Sequence, residues 1–177
     1  YHYSTLNYAL LEVAIEFATK KSFESVLKEN IFDPLNMENS CISLNEDQLK
    51  QTATGYTIAG KATPIWQYQS FAASEGVKST TDDLLKFLAC NLEQTHPKIA
   101  ANLVQTHVQS TETEFNKNAF MAKGWHLVKN KKYYNSILHA GATSGQRGFM
   151  GFVKETQTAV VMLSNSEYRT DGLGYQI

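Results

Sequence analysis

The most informative stretch of the chain is His139–Gly145, with the sequence HAGATSG, which lies between two segments of extended character. Tyr133–His139 precedes it and Gly148–Val153 follows it, and both have the composition of strands. Small residues at this point would let a ligand lie against a strand edge. A substrate amide or ester would pair there with the backbone, with an N–H near Ala142 polarising its carbonyl and His139 supplying charge or hydrogen bonds. Taken alone, the segment also fits a glycine-rich turn that joins two strands.

Helical patterns dominate the chain before this point. Apolar residues recur at helical spacing after Ser4 and predict an amphipathic helix that runs to about Lys20. Thr54–Lys61 has the composition of a short exposed hairpin. Further helices are predicted from N-cap Ser22 to about Asn30, from an S-x-x-D box at Ser79 to about Leu92, and from Pro97 to Val104. A polar loop through Asn45 precedes a short segment around Glu46–Gln51.

Extended segments dominate from Gly124 onward. Trp125–Val128 precedes a polar turn, and Thr158–Leu163 would pair with Gly148–Val153. Helices first and antiparallel strands last predict an α+β fold, with a helical lobe beside a sheet.

Composition excludes several classes of function. Sixteen basic and seventeen acidic residues leave a net charge of -1, so no strong field favours nucleic acid or an anionic membrane. Cys41 and Cys90 stand far apart without a C-x-x-C pairing, which argues against a zinc site or a disulfide scaffold. The other four histidines lack metal-ligand spacing as well. We therefore predict no metal and no cofactor.

A second candidate site lies at the start of the chain. Tyr3-Ser4-Thr5 places a phenol and two hydroxyls at the N-terminal edge of the first predicted helix, where the helix dipole favours an anionic form. The alternative is a capping serine beside a core tyrosine.

Together these segments resemble the class C β-lactamases and related penicillin-binding proteins. Tyr3–Leu11 is similar to the Y-x-N element and the helix after it, and Ile31–Met37 (IFDPLNM) matches the I-F-x-P-L-x-M loop of that family. The match continues in order through Glu75–Asp83, Gly124-Trp125, HAGATSG in place of the K-T-G strand, and Val160–Asn165.

The resemblance implies a β-lactamase/transpeptidase-like fold of which this chain is the C-terminal part. Residues 1–177 would belong to a single domain, with a helical lobe and loops over about 1–122. The antiparallel strands and the start of the C-terminal helix would occupy about 123–177. The N-terminal strands and the central helix would be absent.

The resemblance also implies roles for particular residues. Tyr3 would be a phenolate-type general base, which requires a depressed pKa. His139 would replace the K-T-G lysine, as in the H-T-G and H-A-G versions of DD-peptidases and esterases in the group. Ala142 would supply a backbone oxyanion-hole donor. The residues expected to line the substrate pocket are Thr5, Gly141, Thr143 and Asn165.

Two departures from the family pattern shape the expected function. The nucleophilic S-x-x-K motif belongs upstream of the Y-x-N tyrosine, where this chain has two residues. The literal match Ser25–Lys28 (SVLK) lies downstream on a packing helix, and we interpret it as coincidence. Thr5 stands where asparagine is expected, which favours a peptidase or esterase relative over an efficient β-lactamase.

The expected function is therefore that of a serine hydrolase acting through an acyl-enzyme on a β-lactam, a D-Ala-D-Ala peptide or a small ester. The serine would lie outside this chain, so the chain alone is expected to be inactive. The alternatives are a non-catalytic sensor or binding domain, or an inactive fragment that needs its missing N-terminal half as partner. Family habit implies a periplasmic or secreted protein.

Overall fold

The computed structural model describes residues 1–67, 70–113, 117–130, 134–169 and 171–174. Helices occupy the first part of the chain and an antiparallel sheet the second part, which confirms the α+β fold class. The helices are α1 Thr5–Thr19, α2 Phe23–Leu27 continued by a π-helical turn Lys28–Phe32, α3 Glu46–Gln51, α4 Ala72–Glu75, α5 Thr81–Asn91, α6 Pro97–Val104 followed by a 3-10 turn Gln105–His107, and α7 Asp171–Gly174.

The strands form two sheets. A small hairpin consists of β1 (Gly55–Tyr56) and β2 (Ala62–Thr63). The main sheet is antiparallel, with six strands that follow one another in chain order. They are β3 Thr111–Glu112, β4 Ala119–Met121, β5 His126–Val128, β6 Ser136–Thr143, β7 Gln146–Val153 and β8 Thr158–Ser164.

The main sheet begins before residue 123, where the sequence placed the end of the helical lobe and loops. β3 and β4 have two and three residues, too few to show the alternation by which a strand is recognised. Most of HAGATSG is also strand and not turn. His139–Thr143 belong to β6, Ser144 and Gly145 form the turn, and β7 starts two residues before the predicted Gly148.

Side chains cap the helices close to the predicted positions. Ser4 accepts a hydrogen bond from the amide of Asn7 at the start of α1, and Ser22 caps α2 as predicted. At α5 the cap is Thr80 and not the predicted Ser79, because the hydroxyl of Thr80 accepts from the amide of Asp83. The hydroxyl of Ser79 is instead 2.7 Å from that of Ser40.

The apolar stripe of α1 is largely exposed. Its members Leu6, Leu10, Val13 and Phe17 are 55%, 59%, 62% and 75% exposed. The buried face of this helix carries Ala9 and Glu12 instead, and the Glu12 carboxylate accepts from the amide of Ala73 at 2.8 Å. Periodicity predicted the helix correctly, but the apolar stripe is not the face that packs on the described residues.

Two apolar clusters hold the helices and the sheet together. One cluster joins Leu88 of α5 and Leu92 directly after it to Trp125, Ile137 and Phe152 of the sheet region. The second lies under the loop after α2 and contains Phe32, Leu35, Met37, Cys90 and Ala100. α5 contributes to both clusters, so it is the helix that links the sheet to the rest of the helical lobe.

A buried carboxylate fixes the loop before residue 42 to α5. Asp83 is fully buried and accepts from the amide of Asn39 at 2.8 Å and from the hydroxyl of Ser40 at 3.0 Å. Lys86 forms an ion pair with the same carboxylate at 2.9 Å. A buried charge is tolerated because these donors satisfy it.

Replacement of this carboxylate tests its structural role. Asp83→Asn removes the charge that three donors share, and we expect a loss of about 2–3 kcal/mol in the free energy of unfolding. Asp82→Asn is the matched control, because its side chain is exposed in the same first turn, where loss of the charge costs at most about 1 kcal/mol. Urea unfolding measures both, and equal losses would contradict the assignment.

Candidate active site

The strand that carries HAG has one open edge. β6 pairs with β7 from Ile137 to Thr143, but it pairs with β5 only over Ser136–Leu138. Among the described residues, no strand pairs with the other edge of His139–Thr143. Backbone groups of alternate residues in an antiparallel strand face opposite edges, so some amides and carbonyls of this segment lack a strand partner. This is where the sequence predicted that a substrate would pair with the backbone.

Small residues keep this edge accessible. Gly141 and Ala142 are both exposed. A Cβ added at Gly141 would meet no atom within 4 Å. An extended acyl substrate therefore has room against the backbone here.

His139 lies half-buried at the start of the open segment. Its partner on β7 is Met150, and its ring centroid is 5.5 Å from that of His126, the first residue of β5. Burial, and to a smaller extent His126, lowers the pKa of His139 below its usual value. The imidazole is therefore mainly neutral at neutral pH, and it contributes hydrogen bonds in place of the permanent charge that a lysine would carry.

The small hairpin holds the turn that follows β6. The amide of Tyr56 donates to the carbonyl of Gly145 at 3.1 Å, and the hydroxyl of Thr63 donates to the carbonyl of Ser144 at 3.0 Å. Gly145 has a φ of +73°, and a Cβ there would lie 2.2 Å from the Thr63 hydroxyl oxygen. Thr143 ends β6 directly before this turn.

Asn165 fastens the same hairpin to the end of β8. Its side-chain amide donates to the carbonyl of Thr54 at 2.9 Å, and its own carbonyl accepts from the amide of Tyr56 at 3.0 Å. The observed contacts of Asn165 are thus structural, and the substrate-lining role remains a prediction.

Tyr3 and Thr5 lie at the start of α1. Tyr3 is 55% exposed, and Thr5 is the first helical residue. Burial, the carboxylate of Glu75 and the phenol of Tyr8 raise the pKa of Tyr3, opposite to the shift that a phenolate base requires. Among the described residues, no hydrogen bond, ion pair or ring contact joins Tyr3 or Thr5 to the open edge of β6.

Two features of the candidate site were not predicted from the sequence. His126 is one of the four histidines without metal-ligand spacing, and its only signal is that it directly follows the Gly124-Trp125 pair that supports the resemblance. The second is the anchoring of the turn by the hairpin, which depends on contacts that are distant in sequence.

The literal S-x-x-K match shows no reactive geometry, because the hydroxyl of Ser25 is 2.8 Å from that of Ser22 and Lys28 extends toward Asp33.

The fold and the ordered motifs define a class of protein. The sequence model of the family described as Beta-lactamase matches residues 1–175, and the chain belongs to that family. This family supports the serine-hydrolase class that the motifs predicted, and its structural neighbours confirm the predicted fold.

Particular relatives show how much of the fold is present. Protein flp of Staphylococcus aureus (strain MRSA252) is 28% identical over 177 residues, which cover 95% of this chain and 34% of that protein. A class C beta-lactamase superposes with a TM-score of 0.87 at 19% identity, over 98% of this chain and 54% of that one. A beta-lactamase/D-alanine carboxypeptidase from Pseudomonas syringae gives 0.86 at 18% identity, over 98% and 58%. The chain thus spans about a third of that curated relative and rather more than half of those two solved chains.

Replacement of Gly145, in the turn after β6, tests whether the hairpin holds this edge. Gly145→Ala combines a left-handed backbone with a clash against Thr63, so we expect it to lower the free energy of unfolding by about 2–4 kcal/mol. Gly60→Ala is the matched control. It has a φ of +75° with no atom within 4 Å of an added Cβ, so only the backbone cost of about 1 kcal/mol applies. Equal losses in urea unfolding would show that the Thr63 contact is absent.

Proposed function

We propose that the full-length protein is a serine hydrolase that forms an acyl-enzyme on a serine outside residues 1–177. The observation that carries the proposal is the open edge of β6 at His139–Thr143, bordered by exposed small residues. An amide or ester carbonyl would lie along this edge, as an added strand would.

The open edge would bind and polarise the substrate carbonyl. The amide of Ala142 is the proposed oxyanion donor, because a fixed N–H stabilises charge that develops on the carbonyl oxygen. The hairpin contacts at Ser144 and Gly145 fix the turn next to it. His139 would hydrogen-bond the substrate, with Gly141 and Thr143 beside it and Asn165 and Thr5 at the pocket boundary.

Tyr3 is the proposed general base. Its raised pKa in this chain means that a cation must be supplied for the phenolate to form near neutral pH. By the family resemblance, the S-x-x-K lysine would supply that charge from outside this chain. The long apolar stripe of α1 after Tyr3 would then pack against the same missing part of the domain.

Residues 1–177 would accordingly be the C-terminal part of a single domain and inactive alone. We propose a periplasmic or secreted location, on the habit of the family. In the described residues, no helix combines the length and apolarity needed to cross a membrane.

We propose small esters or peptide ends, in preference to β-lactams, as the substrates. Thr5 in the asparagine position and the neutral His139 in the lysine position both support this choice. A relative of known structure is described as a beta-lactamase/D-alanine carboxypeptidase, which supports the peptide alternative.

A non-catalytic binding or sensor domain is the second candidate. The raised pKa of Tyr3 favours it, since a neutral phenol is a poor base. A full-length sequence without S-x-x-K would support this alternative.

Covalent labelling tests the proposed function. Full-length protein is incubated with penicillin or a fluorophosphonate, and the adduct is located by intact-mass and peptide-mass spectrometry. We expect one adduct on an S-x-x-K serine outside this chain, also in a Ser25→Ala variant. No adduct, or an adduct on Ser25, would contradict the proposal.

The role of Tyr3 is measured in the same assay. Tyr3→Phe should slow acylation by about 10²–10⁴-fold, because it removes general base catalysis. Tyr134→Phe is the control, since this tyrosine is also exposed and has no proposed role.

Turnover of p-nitrophenyl esters should exceed that of a chromogenic cephalosporin, and the reverse order would favour a β-lactamase.

A further inference from the structure

Two histidines meet at the start of the open edge. The ring centroids of His126 and His139 are 5.5 Å apart, with an angle of 44° between the ring planes. Both side chains are partly buried. β5 begins at His126, which pairs with Leu138, so no strand residue stands between His126 and the open segment.

Two protonated imidazoles at this separation would oppose each other. Coulomb repulsion between like charges is strong where water is partly excluded. The first proton therefore disfavours the second, and the two rings titrate as a pair. Burial lowers the pKa of each ring, and His126 lowers that of His139 further.

The other strand neighbours of β6 add little charge near the pair. Leu127 and Val128 of β5 are apolar, and Met150 lies opposite His139 on β7. Arg147 is the charged residue of β7, and it pairs with Ala142, three positions along β6 from His139. Its guanidinium also donates to the carbonyl of Glu167 at 2.7 Å.

We propose that His126 and His139 titrate as one pair at the open edge of β6, in which a proton on either ring disfavours a proton on the other. The consequence for catalysis rests on the proposed function. At neutral pH the edge is uncharged and suits a substrate with an uncharged group beside the scissile carbonyl. In acid the edge gains one charge and accepts a carboxylate better.

Histidine NMR titration of the full-length protein tests the pair without requiring activity. In the wild type, both rings should titrate in two coupled steps. His126→Phe keeps an aromatic ring in place. The His126 ring hydrogen-bonds the backbone of Leu138, and His126→Gln keeps a side chain that can donate there. Both variants remove a titrating neighbour, so the midpoint of His139 should move to higher pH in each. An unchanged midpoint in either folded variant would overturn the proposal.

Reciprocity supplies the second measurement. If His126 lowers the pKa of His139, then His139 lowers that of His126 by the same amount. His139→Gln should therefore raise the midpoint of His126, and this measurement decides the question if the His126 variants do not fold. His96→Asn is the control, because His96 is exposed with a φ of +51°, a conformation that asparagine adopts readily. It should leave the midpoint of His139 unchanged.

Enzyme kinetics separate the two proposals. The ratio of kcat/KM for a carboxylated ester to that for its neutral analogue should rise several-fold as the pH falls through the titration of the pair. His126→Phe should move this rise to higher pH. If His126 and His139 titrate together but the protein hydrolyses neither ester, the coupling of the two histidines stands and the proposed function is refuted. If the protein hydrolyses esters but the two rings titrate independently, the coupling is refuted.

Discussion

β6 pairs with its two neighbouring strands over unequal lengths, and this difference opens one edge of the candidate site. Its whole length from Ile137 pairs with β7, but β5 reaches only Leu138. The chain turns too early to continue, because Gly124 has a φ of +85° and the amide of Ala122 bonds the carbonyl of Trp125 at 2.8 Å. This tight connection between β4 and β5 leaves His139–Thr143 open on one side.

The core fixes where that connection lies. The indole of Trp125 packs edge-on against Phe152 at 5.4 Å and stacks with Phe87 of α5 at 6.3 Å. His107 packs on the same group, and burial lowers its pKa to about 4, so that it stays neutral. Because aromatic contacts from helix and sheet hold Trp125, the first residue of β5 is held as well. The position of His126 beside His139 follows from this.

Local signals in the sequence predicted much of the fold. Capping residues and helical spacing gave α1 and α6 nearly to the residue, because these features act over a few neighbouring positions. HAGATSG correctly indicated an exposed strand edge, but its small residues gave no sign that the strand continues through Thr143. The short strands β3 and β4 exist through pairing alone, and no local pattern predicts them.

The sequence yields candidate residues for the site, but not the electrostatics around them. The family motifs identified Tyr3 and His139, whereas the neighbours that shift their pKa values lie far away in sequence. Glu75 is 72 positions from Tyr3 and His126 is thirteen from His139. The same limit applies to α1, whose periodicity indicates an apolar face without indicating what covers it. Charge and burial at a site are properties of the assembled structure.

Amide hydrogen exchange along β6 measures directly whether His139–Thr143 pairs on one side only. Amides of His139–Thr143 that face β7 should be protected, whereas those that face the open edge should exchange as fast as exposed loop amides. We expect protection that alternates from residue to residue over these five positions in full-length protein. Uniform protection would show that another strand covers the edge, and that result would contradict an open edge at His139–Thr143.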